Sequence, residues 1–219
     1  MVSSVVEKNP SEWKFLGHSV HSLSITPESH KNKTDREKGP AILLIHGFGA
    51  STTHWRHNLP VLGKQYEVHA LDLLGFGKSS KPGGLAYGGP LWKDQIVSYV
   101  KENIRRPTIL VGNSLGGYAA LASGAALGSE AAGVVLLNAA GYFSEDKKPT
   151  TGFWATARKT VAGIFLKNAL LQRIIFENLR QPSTIKRTLN QVYIDTSNVD
   201  DELVEAIRKP SLDAGAVSY

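Results

Sequence analysis

Gly112-Asn113-Ser114-Leu115-Gly116-Gly117 sets a hydroxyl among glycines, with an apolar stretch over 108–111 leading in and a small-residue run over 118–126 leading out. Gly-x-Ser-x-Gly at a strand-to-helix junction is the pattern of a nucleophile elbow. The flanking glycines permit a sharp turn, which holds Ser114 in a strained conformation with its hydroxyl lifted above the sheet edge. A helix N-terminus beneath the serine favours negative charge developing there. The chemistry this serves is attack of the Ser114 hydroxyl on a carbonyl carbon. A serine hydroxyl needs a base, yet all seven histidines (His18, His21, His30, His46, His54, His57, His69) precede Ser114 in the chain.

The elements around the serine follow from hydrophobic patterning. Residues 12–25 alternate Trp13, Phe15, Val20, Leu23 and Ile25, which predicts two antiparallel strands. Residues 26–39 form a polar loop. Short apolar runs at 41–45, 66–71, 108–111 and 132–137 predict strands, the first buried on both faces and ending in His46-Gly47-Phe48-Gly49. The second ends in Asp72-Leu73-Leu74-Gly75-Phe76-Gly77-Lys78-Ser79. Helical segments at 55–62, 91–103 and 118–127 lie between them, and strands alternating with helices at this spacing predict an α/β fold around a parallel sheet. From about Phe143 the pattern becomes amphipathic helix only, at 154–167, 170–178, 184–193 and 200–208. That block reads as a helical lid inserted after the sixth strand.

Composition bounds the rest. A chain of 219 residues, 42% hydrophobic and 20% charged, can bury one substantial core. No apolar run approaches the roughly 18 residues of a membrane span, and residues 1–14 lack both an apolar signal core and the basic amphipathic character of a transit peptide. The expectation is a protein neither secreted nor membrane-spanning. With no cysteine there is no disulfide, zinc ribbon or thiol nucleophile. The net charge of +6 is spread among acids, which argues against a nucleic-acid partner.

Three landmarks in order, the His-Gly loop at 46–49, the segment at 72–79 and the elbow at 112–117, each at the end of a predicted strand, resemble the α/β-hydrolase superfamily over residues 12–219. The resemblance implies a mostly parallel sheet whose core occupies 1–142, a lid over 143–219, and further strands beyond Tyr219. It implies Ser114 as nucleophile, with the backbone N–H groups of Phe48 and Leu115 as the oxyanion hole and His46, Gly47, Gly49, Gly112, Gly116 and Gly117 as motif support. His46 and Asp72 are implied to be structural. In this fold the catalytic acid and then the histidine follow the serine. Asp195, Asp200, Asp201 and Asp213 do follow it but fall in the lid and receive no catalytic role. The triad Asp and His are therefore expected outside this chain, which as it stands should be inactive.

The wording Asn113-Ser114-Leu115-Gly116-Gly117-Tyr118, followed by Leu136-Leu137-Asn138-Ala139 and Gln191-Val192-Tyr193, is similar to the plant and cyanobacterial branch of pheophytinase and chlorophyll dephytylase. That branch hydrolyses phytyl esters of chlorophyll-type pigments, which implies an apolar ester substrate, no cofactor, no metal, and a cytoplasmic or thylakoid-associated plastid location. Phe48, Phe153 and Trp154 line an apolar pocket or belong to plain core. Arg158, Lys159, Lys167, Arg173, Arg180, Lys186 and Arg187 favour an anionic membrane surface or form a solvated face. A last strand without a neighbour would make the chain self-associate. Two rivals remain: an epoxide hydrolase or dehalogenase, which would carry aspartate where Ser114 stands, and a binding protein that has lost catalysis.

Overall fold

The computed structural model describes residues 9–30, 32–141, 169–213 and 215–216. The chain divides between Ala140 and Gly141 into two compact units.

The first unit is built on one sheet in the order β1-β2-β4-β3-β5-β6. Strands β1 (Asn9–Phe15) and β2 (His18–Ile25) are antiparallel and hang on the edge of β4 (Val68–Leu71). From β4 onward, β3 (Ala41–Ile45), β5 (Thr108–Asn113) and β6 (Ala131–Leu137) all run parallel. Burial on both faces explains the unbroken apolar run of β3. Its Ala41, Leu43 and Ile45 pack with Trp92, Ile96 and Tyr99 of α3 (Gly89–Tyr99) and Ala119 and Ala120 of α4 (Leu115–Leu127). Ile42 and Leu44 face the opposite side, where Trp55 and Leu59 cover the sheet. The connection leaving β3 thus crosses one face and that leaving β5 the other. A sheet whose neighbouring strands send their connections to opposite faces opens a crevice at their carboxyl ends. Those ends carry the His-Gly loop and Ser114.

Several expectations are revised. Residues 26–39 are not wholly loop: a 3₁₀ turn forms at Glu28–His30, and α1 (Asp35–Lys38) follows Thr34, whose N–H donates to the Glu37 carboxylate at 2.8 Å. The helix expected at 55–62 is two pieces. A 3₁₀ turn at Thr52–Trp55 is capped by Ser51, and α2 (Asn58–Leu62) is short. The strand expected from 66 begins at Val68; just before it the Glu67 carbonyl accepts the Ile42 N–H at 2.9 Å, and its side chain pairs with Arg106 and His69. Helix α3 runs on through a π turn, Val100–Ile104. Helix α4 starts at Leu115, three residues before the expected 118, so Gly116 and Gly117 lie inside its first turn.

In the second unit, α5 (Ala169–Leu179), α6 (Pro182–Val192) and α7 (Asp201–Arg208) occur where amphipathic patterning placed helices. Ile185, Val199, Leu203 and Val204 are buried in it. Asp200 caps α7 by accepting the Leu203 N–H at 2.7 Å, and Asp195 accepts that of Ser197 at 2.9 Å. These carboxylates close turns. Asp201 pairs with Lys186 at 3.0 Å. The helix expected at 154–167, with Phe153, Trp154, Arg158, Lys159 and Lys167, lies outside the described residues, as does the Arg173 side chain.

Candidate active site

Ser114 joins β5 to α4 at φ 50°, ψ −116°. Positive φ is uncommon for a residue with a Cβ and is held only where the surroundings over-determine it. Here they do. The Ser114 N–H donates to Leu137 O at 3.0 Å, and its carbonyl accepts the N–H groups of Ala140 and Gly117, each at 2.9 Å. The side-chain amide of Asn113 donates to the same Leu137 carbonyl at 3.3 Å. The end of β6 therefore clamps the serine from one side and α4 from the other.

The strain sits on the serine itself, since none of Gly112, Gly116 and Gly117 has a positive φ. Those glycines are needed for close approach instead. A Cβ on Gly112 would strike the Gly116 backbone, one on Gly116 the carbonyls of Ile45 and His46, and one on Gly117 the Ala139 side chain. The glycines thus permit the turn by lacking side chains and not by a positive φ: they let β5, α4, the end of β3 and the end of β6 pack against one another around Ser114.

The loop after β3 lies beside the serine. A Cβ on Gly47 would come within 3.3 Å of Ser114 Cβ and 3.1 Å of Asn113 Oδ1. His46, fully buried, sets the loop's shape. Its Nδ1 lies 2.7 Å from Gly47 O and its Nε2 accepts the Leu73 N–H at 3.0 Å. A carbonyl can only accept and a backbone N–H can only donate, so the ring is the neutral Nδ1–H tautomer with no free lone pair. Burial pushes its pKa down, against the opposing pull of Asp72 and the Gly47 hydrogen bond. The Gly47 carbonyl and the Phe48 N–H belong to one planar trans peptide, so holding the carbonyl fixes the direction of the N–H. Gly49, at φ 70°, completes the bend. The Leu115 N–H is the first of α4 and has no intrahelical acceptor. The Phe48 ring is 76% exposed and meets Phe76 edge-on at 5.3 Å.

Asp72, fully buried, accepts the N–H groups of Thr52 at 2.6 Å and Lys78 at 2.8 Å, and Gly77 (φ 53°) passes too close to its carboxylate for any side chain. It ties the turn after β4 to the turn after the His-Gly loop. No described histidine hydrogen-bonds Ser114. His69 is held by Glu67 at 2.9 Å and by Tyr99 at 3.2 Å, while His54 stacks edge-on against Trp55 with its pKa lowered by burial. Among the described residues no cluster of His, Asp and Glu is placed to hold a metal ion, and no helix is long and apolar enough to cross a membrane.

Sequence reading missed the clamp by Leu137 and Ala140. The available signal was Asn138, a residue type tolerant of the φ of 48° it adopts on leaving β6.

Known proteins resemble this chain in sequence and in fold. The chain is 29% identical over 221 residues to pheophytinase, chloroplastic, of Arabidopsis thaliana, a match covering 84% of this chain and 46% of that protein. It is 33% identical over 123 residues to 2-hydroxy-6-oxo-6-(2'-aminophenyl)hexa-2,4-dienoic acid hydrolase of Metapseudomonas resinovorans, covering 53% and 42% respectively. The crystal structure of a membrane phospholipase A, a bacterial virulence factor, superposes with a TM-score of 0.69 at 25% identity over 96% of this chain and 60% of that one. The chain thus spans less than half the length of these two curated relatives. The model of the alpha/beta hydrolase family matches residues 42–210, from β3 through the last helix, and the chain belongs to that family.

Proposed function

We propose that Ser114 is the nucleophile of a serine hydrolase that cleaves an apolar carboxylic ester through an acyl-enzyme. The observation that carries this reading is the strained Ser114 backbone with the Gly47 loop packed against it. In the reaction Ser114 Oγ attacks the ester carbonyl and its proton passes to a general base. The tetrahedral oxyanion is held by the N–H groups of Phe48 and Leu115, a contribution of about 3 kcal/mol per donor. Collapse expels the alcohol, and water then releases the acid from Ser114. His46 is spent on backbone and cannot serve as the base, so the base and its acid partner are expected from polypeptide outside these 219 residues.

The exposed Phe48 ring gives the crevice an apolar wall, which supports a hydrophobic substrate group. The reading of residues 143–219 as a lid is part of this proposal. Likeness to pheophytinase supports a phytyl ester of a chlorophyll-type pigment as substrate and a plastid location; the basic residues between 158 and 187 support an anionic membrane surface as a further partner. The serine at the elbow, in place of aspartate, disfavours alkyl-enzyme chemistry on epoxides or haloalkanes.

The test is hydrolysis of a p-nitrophenyl ester series and of a phytylated chlorin, beside Ser114→Ala. In a form of the protein extended to the length of its relatives, turnover should rise with chain length and vanish in the variant. In the 219-residue chain it should be negligible in both. Turnover by the extended form that survives Ser114→Ala would refute the assignment.

A further inference from the structure

Two buried side chains outside the described catalytic set grip one peptide group of the turn after β4. Gln95, on α3 and fully buried, donates from Nε2 to Asp72 O at 3.1 Å and accepts the Leu74 N–H on Oε1 at 2.9 Å. Ser79, 2% exposed, donates its hydroxyl proton to the same Asp72 carbonyl at 2.7 Å. That carbonyl shares its peptide with the Leu73 N–H, which donates to His46 Nε2 at 3.0 Å. The ring donates from Nδ1 to Gly47 O at 2.7 Å, and this carbonyl shares its peptide with the Phe48 N–H. Every link accepts on one side and donates on the other, all in the same direction. The chain starts at the Gln95 amide and at the His21 N–H, which donates to the Ser79 hydroxyl at 3.0 Å; it crosses the Asp72–Leu73 peptide, the imidazole and the Gly47–Phe48 peptide, and ends on the Phe48 N–H.

We propose that Gln95 and Ser79 are positioning residues for the oxyanion donor Phe48 N–H, acting through this one-way hydrogen-bond chain to aim and polarise it. The inference rests on the oxyanion role assigned to Phe48 above. Aligned hydrogen bonds polarise one another, by roughly 10–30% per bond. A donor at the head of the line therefore makes the last N–H more acidic, and two peptide planes and an imidazole ring transmit direction because none can bend. Neither residue touches the substrate. A buried glutamine whose only purpose was to fill the α3 interface would be replaced by an apolar side chain of the same shape at little cost. What such a replacement removes here is the donor to Asp72 O and the acceptor for Leu74 N–H together.

The experiment is nuclear magnetic resonance of the ¹⁵N-labelled 219-residue chain, following the His46 ring nitrogens and the Phe48 amide in Gln95→Met, Gln95→Glu and Ser79→Ala. Gln95→Glu keeps the acceptor for Leu74 and, as the carboxylate, has no proton for Asp72 O, so it is read at a pH high enough to keep the buried carboxyl ionised. All three should move the Phe48 amide proton upfield and shift His46 Nε2 toward the position of an unbonded imidazole nitrogen. Melting lowered by the substitutions, with the His46 and Phe48 signals unmoved, would overturn the proposal and leave both residues as fillers of the α3 interface. Should Gln95→Met not fold, Ser79→Ala alone decides. The readout needs no turnover, so failure of the ester assay and failure of this chain are separate results. Where turnover is measured, the variants should lower kcat at constant KM, by less than the ~10²-fold that outright loss of an oxyanion donor costs.

Discussion

Replacing Gly116 by alanine adds one methyl group at the tightest approach in the site. The new Cβ would fall on the carbonyl oxygens of Ile45 and His46 and 2.8 Å from the Ile45 carbonyl carbon. All of these are backbone atoms at the end of β3, a strand hydrogen-bonded to β4 on one side and β5 on the other, so no rotamer change relieves the contact. Overpacking a close-packed interior costs about 1–3 kcal/mol, and rigid partners put this site at the upper end or beyond. Alanine returns about 1 kcal/mol of helix propensity, because Gly116 lies in α4. A net loss of about 2–3 kcal/mol corresponds to a melting temperature roughly 4–12 °C lower for a chain of this size. The control is Gly83→Ala, where the backbone φ is ordinary and nothing lies within 4 Å of the added atom; it should leave stability within about 0.5 kcal/mol. Circular dichroism melts of the two variants beside the parent decide. Equal melting of Gly116→Ala and Gly83→Ala would show that β3 and α4 are not in contact at the elbow, and would remove the stated reason for the position of Ser114.

Acid should destabilise the first unit before any carboxylate is protonated. Burial lowers the pKa of His46, with Asp72 opposing the shift and His54 close by as a second titratable ring, and His21, His30 and His54 are lowered by burial as well. The unfolded chain binds protons below the ordinary histidine value of 6.5 while the folded chain resists them, so stability is full above that value and falls as pH drops from 6.5 toward the lowered values. Urea titrations between pH 8 and pH 5 should show this fall, and its persistence undiminished in His46→Gln would rule out His46 as a contributor. Among the described residues the edge strand β6 pairs only with β5, and Val135, Leu136 and Leu137 are each about two-fifths exposed, so the 219-residue chain should associate at micromolar concentration. Sedimentation velocity should detect this, with Leu136→Lys reducing it; a monomer at every concentration would contradict the reading.

The parallel sheet was legible because each of its strands is a short, mostly apolar run followed by a glycine-containing turn, and β3 and β4 are buried on both faces. Boundaries were less so. Helix 55–62 broke in two because Ser51 caps a 3₁₀ turn through a side-chain hydrogen bond that hydrophobic periodicity does not register. Helix α4 started earlier than its apolar content suggested, since Gly116 and Gly117 score as turn formers in isolation. Here they are helical because only a residue without a Cβ can bring α4 against the carbonyls of Ile45 and His46.

The site shows the same division between what a local motif encodes and what contact supplies. Ser114 and the His-Gly loop are local phrases, and each could be placed from its own neighbours in the chain. The direction of the Phe48 N–H is not local. It depends on His46 being a neutral Nδ1–H ring, which depends on a Leu73 N–H 27 positions further on, and that peptide is held from α3 by Gln95 at a further 22. Nothing in the sequence marks Gln95 as different from any other polar residue on an amphipathic helix until its amide is found at zero exposure with both ends engaged. A buried polar side chain with every atom satisfied by the backbone of a neighbouring loop is a stronger pointer to what that loop must hold still than the motif within the loop. In this chain it points to the peptide that follows Gly47.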